Sequence, residues 1–242
     1  MIITGTDIRA WQARQSTVRF GQASYANASF WKGGAAIPTL FAGVHGFKQI
    51  TITLIVKGDG RDAILKNVSD IVAACRDVVT ILFDGLILHG SLNHRFTGYL
   101  TSASNDELAL RQFHKLTLQF SGYEHSEQIE KSGTSSIEIF NPGNLPSPAR
   151  VAITPTANAS SITLTGISRD PYTDEDETVT VNSLTSGKLV VLNGINGGIT
   201  EAPGNPKDVD IWHLPTLKPG WNTIECNNAN MNINIRLIPI YA

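Results

Sequence analysis

The sequence predicts a mainly β protein with one notable helix, divided into two domains. Thr, Ser and Asn occupy 57 of the 242 positions, against 40 charged residues, and these residue types favour strands, caps and turns over helix interiors. Several short segments alternate apolar and polar side chains, which is typical of strands with one buried face. The length exceeds that of a usual single domain, so two domains are expected, each able to bury its own core.

The first domain is expected to span residues 1–130 and to contain the one helix. Four aliphatic side chains share one face of its clearest strand, residues 49–57: Ile50, Ile52, Leu54 and Val56. Residues 61–76 are predicted to form the helix, with Asp59 as its cap. Five apolar residues there recur at helical spacing: Ile64, Val68, Ile71, Val72 and Cys75.

Two further features complete the predicted first domain. Residues 79–88 place apolar runs on both sides of Asp84-Gly85, a dipeptide that suits a two-residue hairpin turn. Residues 115–120 alternate apolar and polar side chains as a strand does.

The second domain is expected to span residues 131–242 and to be a β-sandwich of jelly-roll or related type. Residues 125–136 are polar and are predicted to form a connector between the domains. Turn signals separate short predicted strands around 137–140, 150–154, 161–165, 178–181, 188–192 and 232–238.

Charge and hydropathy exclude several classes of protein. The formal net charge of -2 and the pI near 6.3 give no general attraction to nucleic acid or to anionic membranes, and the dispersed arginines form no basic stripe. The sequence contains no apolar run long enough to cross a bilayer, and residues 1–14 do not resemble a secretory signal, so synthesis in the cytoplasm is expected. Cys75 and Cys226 belong to no metal or redox motif, and two free thiols are expected.

The histidines and the acidic segment are the candidate catalytic and metal-binding residues, and their spacing indicates no such role for any of them. His89 and His94 lack acidic residues at metal-ligand spacing, and His125 falls in the predicted connector. The acidic segment 170–177, which includes Asp174 and Asp176, is compatible with a calcium loop, but a solvated turn is favoured because the spacing is not that of an EF-hand. The sequence therefore predicts no catalytic, cofactor-binding or metal residue, and no enzyme.

Glycines and tryptophans suggest binding functions that the sequence leaves open. Residues 57–61 and 192–198 are rich in glycine but match neither the Walker nor the dinucleotide pattern, so turns are favoured over phosphate loops. Trp31, Trp212 and Trp221 could stack against sugar rings, as tryptophans do in lectins. Packing in a core or interface is the favoured interpretation for Trp212 and Trp221.

The order of several segments resembles the distal tail protein (Dit) family of long-tailed siphophages. These segments cover most of the chain: ITITLIVKGDGRDAILKNVSDIVAACR at 50–76, VTILFDG at 79–85, FTGYL at 96–100, KLTLQFSGYE at 115–124, FNPGNLPSPARVAI at 140–153, LKPGWNTIECN at 217–227 and INIRLIPIY at 233–241.

The resemblance implies a fold and a function. It implies a tail-tube-like β-sandwich or barrel in the first domain and a galectin-like β-sandwich in the second. It further implies a homo-hexameric ring at the distal end of the virion tail, which connects the tail tube to the tail-tip or baseplate proteins and leaves a channel for DNA. Its implied partners are the tail tube protein, tail-tip or tail-associated proteins and receptor-binding proteins, with no sequence-specific nucleic-acid binding and no cofactor.

Three alternatives remain at this stage. The second domain could be a carbohydrate-binding, lectin-like module for host adhesion, although a sandwich fold alone does not establish sugar binding. The chain could be another tail tube or baseplate component. A glycoside hydrolase or esterase would need paired carboxylates or a nucleophile with its base, which a single sequence cannot place in space.

Overall fold

The fold consists mainly of β-strands with one notable helix, as the sequence predicts. The computed structural model describes residues 1–23, 25–26, 29–30, 39–40, 44–83, 94–109, 112–170, 173 and 175–241. They form two compact units, Met1–His125 and Ser126–Tyr241. No helix within these ranges is long and apolar enough to span a membrane.

The first unit contains eleven strands, a short 3-10 helix at Ile8–Trp11 and the helix α1 at Arg61–Ala74, counted over its described residues. The strands are β1 Ile2–Ile3, β2 Thr6–Asp7, β3 Ala13–Phe20, β4 Tyr25–Ala26, β5 Ser29–Phe30, β6 Thr39–Leu40, β7 Val44–His45, β8 Lys48–Lys57, β9 Val79–Leu82, β10 Arg95–Glu107 and β11 Phe113–His125.

One antiparallel sheet organises this unit, in the order β2-β1-β9-β10-β11-β8-β3. Ile52 on β8 pairs with Leu118 of β11 on one side and with Val18 of β3 on the other. The predicted face of β8 is buried, since its four alternating aliphatic side chains are at most 1% exposed. Burying each of them contributes about 1.5–3 kcal/mol before the entropy of ordering is subtracted. The predicted strand at 115–120 is confirmed as part of β11.

The apolar face of helix α1 and its start at Arg61 are as predicted, but its cap and its last residue are not. Ile64, Val68 and Ile71 are buried against the sheet, as their spacing requires. The predicted cap, Asp59, is wrong: the residue before the helix is Gly60, with φ of +100°, and no side chain caps the first turn. The helix also ends at Ala74, two residues before the predicted end.

The predicted hairpin at 79–88 is described only in part. Its first arm is confirmed as β9, which pairs with β1 and with residues 95–98 of β10. The turn at Asp84-Gly85 and the second arm lie outside the described residues.

Strands β10 and β11 form a long antiparallel pair that depends on two facing glycines. Gly98 lies opposite Gly122. A β-carbon on Gly122 would lie 2.1 Å from the carbonyl oxygen of Thr97, and one on Gly98 would lie 2.4 Å from that of Ser121. Since both contacts are with backbone, only glycine allows this close approach.

The second unit contains thirteen strands over its described residues. They are β12 Ile129–Gly133, β13 Ser136–Asn141, β14 Ser147–Pro155, β15 Ala159–Thr165, β16 Val179–Leu184, β17 Val190–Asn193, β18 Ile199–Glu201, β19 Asn205–Pro206, β20 Val209–Asp210, β21 Thr216–Leu217, β22 Gly220–Cys226, β23 Met231–Leu237 and β24 Ile240–Tyr241.

Two antiparallel sheets of this unit share one apolar core, and the six predicted strands are all present. The first sheet has the order β12-β23-β14-β17-β18-β19, and the second has the order β13-β22-β15-β16-β20. Their alternating side chains meet between the sheets, as in a β-sandwich, and examples from both are completely buried: Val151, Ile162, Val181, Leu192 and Ile235.

Strand β22 was not among the predicted strands. Asn222 occupies one of its buried positions, so apolar side chains do not simply alternate there. The side chain of Asn222 is nevertheless satisfied, since its amide donates to the carbonyl of Lys218 at 2.9 Å. Because a polar residue with local hydrogen-bond partners occupies a buried position, the alternation of apolar and polar residues in β22 is interrupted.

The predicted connector at 125–136 is wrong for most of its length. Residues 129–133 form β12, which pairs with residues 233–237 of β23. His125 is the last residue of β11 and is buried rather than part of a solvated linker. The segment is polar because β12 lies at the edge of its sheet, where most of its side chains face solvent.

A buried asparagine fixes the turn after β13. The amide of Asn141 donates to the carbonyl of Leu217 at 3.1 Å, and its oxygen accepts from the backbone N–H of Gly143 at 2.9 Å. These bonds satisfy backbone groups that the turn would otherwise leave buried and unpaired.

Candidate interaction surfaces

One edge of the sheet in the first unit is strand β3, which carries positive charge. Within the described residues, β3 pairs only with β8, so its other side is an open edge. Arg14 and Arg19 are exposed on this strand. An open edge presents backbone N–H and C=O groups that can pair with another strand.

Among the described residues, the outer half of β10 pairs only with β11 and forms a second open edge, which carries negative charge. On the side of β10 away from β11, strand β9 pairs with residues 95–98. The side chains of residues 101–107 are all exposed. This segment ends in Asp106 and Glu107. The carboxylate of Glu107 lies 3.9 Å from the Arg61 guanidinium, but both side chains are largely exposed, and such pairs contribute little.

A buried cluster of charged groups joins β8, β11 and the start of β10. The carboxylate of Glu124, 2% exposed, accepts hydrogen bonds from the Lys48 ammonium and from Nε2 of His94, which is fully buried. Burial raises the pKa of Glu124, but the hydrogen bonds from His94 and Lys48 outweigh it and hold that pKa below its ordinary value. The carboxylate is therefore ionised at neutral pH and ties the three segments together.

A further polar chain lies beside this cluster. Nε2 of His125 and the Thr97 hydroxyl are 2.9 Å apart, and the Thr97 hydroxyl lies 2.9 Å from that of Thr80. The sequence alone indicates no role for His94 or His125. The structure gives both a structural one, because each bonds to a neighbouring strand.

The second unit has an exposed groove formed by two adjoining clefts. The larger cleft, about 620 Å³, is lined by Trp212, Arg169 and Lys218 together with Asp170 and Leu214. The smaller, about 180 Å³, shares Arg169 and Lys218 and adds Trp221. We call this surface the aromatic groove and define it by four residues: Arg169, Trp212, Lys218 and Trp221.

Both tryptophans of the aromatic groove face solvent. Trp212 is 84% exposed and Trp221 is 68% exposed, so neither packs in a core. The other half of the expectation, packing in an interface with a second chain, stays a prediction. The indole of Trp221 is supported on one side by the ring of Phe140, whose centroid is 5.3 Å away. Large exposed aromatic side chains next to charged groups are typical of binding surfaces.

A hydrogen-bond network holds the loop that carries Trp212. The hydroxyl of Ser168 bonds to the carboxylate of Glu177 and to the backbone carbonyl of His213, each at 2.6 Å. The other oxygen of Glu177 lies 2.8 Å from Nδ1 of His213. The hydrogen bond from Ser168 lowers the pKa of Glu177 most, burial opposes it, and His213 lowers it further. An ionised Glu177 thus fixes the residue next to Trp212.

This network is not a catalytic triad. A serine nucleophile needs a base nitrogen within hydrogen-bond reach of its hydroxyl. The Ser168 hydroxyl instead meets a carboxylate and a carbonyl, and Ser168 is 1% exposed. The geometry supports positioning of the loop rather than acyl transfer.

The glycine-rich segment 192–198 packs beside the same groove. The backbone N–H of Gly194 donates to the carbonyl of Ala149 at 2.8 Å. A β-carbon on Gly194 would lie 2.0 Å from the carbonyl oxygen of Pro215. The glycine is therefore explained by close backbone packing, as a turn requires.

The acidic segment 170–177 is engaged in ion pairs and hydrogen bonds where it is described. Asp176 accepts from the Arg169 guanidinium at 2.7 Å, and Glu177 belongs to the Ser168 network. The described residues contain no group of three or more potential ligands placed to hold a metal ion. Asp174, His89 and Trp31, which the sequence singled out, lie outside the described residues.

Both cysteines are buried free thiols, as expected. Burial raises the pKa of Cys75 to about 11 and also raises that of Cys226. Each therefore behaves as a small apolar side chain at neutral pH.

The described residues thus form two β-rich units, one organised by a single large antiparallel sheet and one a sandwich with an exposed groove. The fold is similar to that of the SPP1 Dit protein, described as a paradigm of the hub adsorption apparatus in phages that infect Gram-positive bacteria. The TM-score is 0.74 and the identity 13%, over 100% of this chain and 98% of that one. The expected resemblance to Dit is thus confirmed in the fold.

Two structures of the phage P2 baseplate in its activated conformation were also matched. The one with Ca has a TM-score of 0.46 and 11% identity, over 91% of this chain and 90% of the other. The one with Sr has a TM-score of 0.49 and 11% identity, over 95% and 92%. No family model matches the chain, and no curated protein matches it.

Proposed function

We propose that the chain is a structural protein of a phage tail, located at the distal end and acting as a Dit-type hub. The observation that carries this proposal is the similarity to SPP1 Dit over the whole of both chains, which includes both units and not a single common sandwich. A tail tube subunit or another baseplate component is less well supported, because that similarity extends through the second unit.

The finer proposal is a homo-hexameric ring that connects the tail tube to the tail-tip or baseplate proteins and surrounds a channel for DNA. The first unit, a tail-tube-like domain, builds the ring, and the second is a galectin-like sandwich. A closed ring needs a heterologous interface, in which one patch of a subunit meets a different patch of the next. The first unit offers two such patches.

The two open edges of the first sheet suit a heterologous contact. Strand β3 presents Arg14 and Arg19, whereas the outer half of β10 ends in Asp106 and Glu107. Pairing β3 of one copy with β10 of the next would continue the sheet and bring opposite charges together. The same argument supports a role that needs no reactive centre, ligand or cofactor.

The buried cluster around Glu124 supports the same role. It joins β8, which is the neighbour of β3, to β11, which is the neighbour of β10. The buried ion cluster thus connects β8 and β11, the two strands that pair with the open-edge strands. A rigid spacing between the two edges is what repeated subunits in a ring require.

The oligomeric state of the purified protein tests this proposal. Native mass spectrometry and negative-stain images should show a closed ring with a central hole, six-fold in symmetry. Because a hub can require its neighbours for assembly, the measurement is repeated with the tail tube or tail-tip protein present. A monomer at high concentration under both conditions would contradict the ring.

Charge reversal tests the proposed contact. Arg19→Glu should weaken the assembly, since it places like charges on facing edges, and adding Asp106→Arg in the same chain should restore it. Arg76→Glu is the matched control, because Arg76 is also an exposed arginine but lies on neither open edge. If Arg19→Glu and Arg76→Glu have equal effects, the ring uses other surfaces.

A further inference from the structure

The aromatic groove has the properties of a ligand site that the proposed tail role does not require. Its tryptophans are exposed although the loop of Trp212 is held in place by Ser168 and Glu177. An apolar indole face left in water is unfavourable unless something covers it. A fixed loop that presents such a face is arranged to bind.

The polar groups in the larger cleft indicate the chemistry of what binds. Asp170 offers an acceptor, whereas Arg169 and Lys218 offer donors, within the same cleft as Trp212. Hydroxyl groups of a sugar both donate and accept, so they match this mixed set. The apolar face of a pyranose ring matches the indole.

A protein partner fits the groove less well. The centre of a protein interface is depleted of charged residues, whereas here Arg169 and Lys218 line both clefts, each of which also holds one tryptophan. Small-ligand sites, in contrast, combine aromatic walls with a few convergent polar groups, in volumes of about 300–1,000 Å³. The larger cleft, at about 620 Å³, lies within that range.

The position of Trp221 indicates a ligand with more than one sugar ring. Trp221 lies in the smaller cleft, which meets the larger one at Arg169 and Lys218. Phe140 holds its indole from one side and leaves it 68% exposed. An aromatic face in each of two clefts that share Arg169 and Lys218 would stack two different rings of one chain of sugars.

We propose that the aromatic groove binds an oligosaccharide, with one pyranose ring stacked on Trp212, another on Trp221, and the intervening hydroxyl groups bonded to Arg169, Asp170 and Lys218. This site is additional to the structural role and does not depend on it.

The test uses the full-length protein on a glycan array of neutral, amino and acidic pyranose oligosaccharides. The best array ligand is then titrated by calorimetry. Trp212→Ala should weaken binding about tenfold or more, which corresponds to the loss of one stacking contact, and Trp212→Phe should retain most of the affinity. Tyr99→Ala is the matched control: it removes an exposed aromatic side chain of the first unit and should leave both binding and Tm unchanged.

Saturation-transfer NMR supplies a readout that a purely structural role would not change. Protons of the bound sugar should receive saturation from indole protons, and Trp212→Ala should remove part of the signal while Tm stays the same. No binding on the array at millimolar glycan, or binding that survives Trp212→Ala together with Trp221→Ala, would overturn the proposal. If no glycan binds and Trp212→Ala instead abolishes the binding of a tail protein, the groove is a site for a protein partner. This result would also overturn the proposal.

Discussion

Replacing Lys48 with methionine should strongly destabilise the first unit. The Lys48 side chain is almost entirely buried, and it donates to a Glu124 carboxylate that is 2% exposed. Methionine keeps most of the volume but removes the charge, so the buried carboxylate loses the ammonium group that compensates it. Removing one partner from a buried ion pair typically costs about 3–5 kcal/mol, because a buried charge is left without compensation.

Urea denaturation combined with hydrogen exchange would measure this change. With a slope of about 2 kcal/mol per M, the loss corresponds to a midpoint that is lower by about 1.5–2.5 M, and peptides from β8 and β11 should lose protection first. Lys66→Met is the control, since Lys66 pairs with Asp70 at 2.7 Å but both side chains are exposed, and the expected cost is below about 1 kcal/mol. Equal losses in the two variants would refute the reasoning.

The same cluster determines the acid stability of the first unit. The pKa of Glu124 is lower in the folded protein than its ordinary value of 4.5. Its ionised form therefore contributes stability that is fully present above that ordinary value and is lost as the pH falls through the lower, folded-state pKa. Glu124→Gln should lower stability at pH 7 and flatten its dependence on pH below about 4.5. An unchanged acid profile in this variant would show that other carboxylates control acid unfolding.

Three further predictions concern packing and thiols. Gly122→Ala should cost at least about 2 kcal/mol in urea unfolding, because its β-carbon would meet the Thr97 carbonyl at 2.1 Å. A loss below about 0.5 kcal/mol would show that β10 and β11 can separate. Asn141→Ala should cost about 1–3 kcal/mol, since it leaves buried backbone groups unpaired, and a neutral result in thermal unfolding would contradict that assignment. Cys75 and Cys226 should react with a thiol reagent at pH 7 only after denaturation, because both are buried with raised pKa values, and rapid labelling of the native protein would disprove it.

The sequence predicts the elements of this fold where one local pattern decides them. The strand at 49–57 is recognisable because strict alternation has only one arrangement that buries all four aliphatic side chains. Helix α1 is recognisable for a similar reason, since Ile64, Val68 and Ile71 share a face only at helical spacing. The cap is not predictable in the same way, because Asp59 has the residue type of a cap but the backbone geometry places Gly60 directly before the helix.

Features that depend on the position of a strand in its sheet are not readable in this way. Strand β12 is polar because it is an edge, and a polar edge strand has the composition of a linker. Tertiary partners also determine whether a charged residue is buried. Lys48 and Glu124 are 76 positions apart, and their burial follows from the pairing of β8 with β11.

The aromatic groove was missed for a related reason. Tryptophan is on average a buried residue type, so Trp212 and Trp221 were expected to pack. Trp212 lies on a loop that the network of Ser168, Glu177 and His213 holds, and this network joins segments far apart in the chain. The sequence does contain one signal of this exposure. Trp221 is two residues before Thr223 and four before Glu225, so all three lie on the same, exposed face of β22.

The charges on the two open edges of the first sheet also determine which contacts are unfavourable. A sheet with open edges can pair with a second copy head to head, which gives a dimer with two-fold symmetry and ends growth. Pairing β3 with β3 would bring the arginines of two copies together, and pairing the outer halves of β10 would do the same for Asp106 and Glu107. Like charges in facing strands destabilise such pairs. The unlike pair is therefore the one that the charges favour, and repetition of an unlike pair gives a ring when the rotation between copies closes.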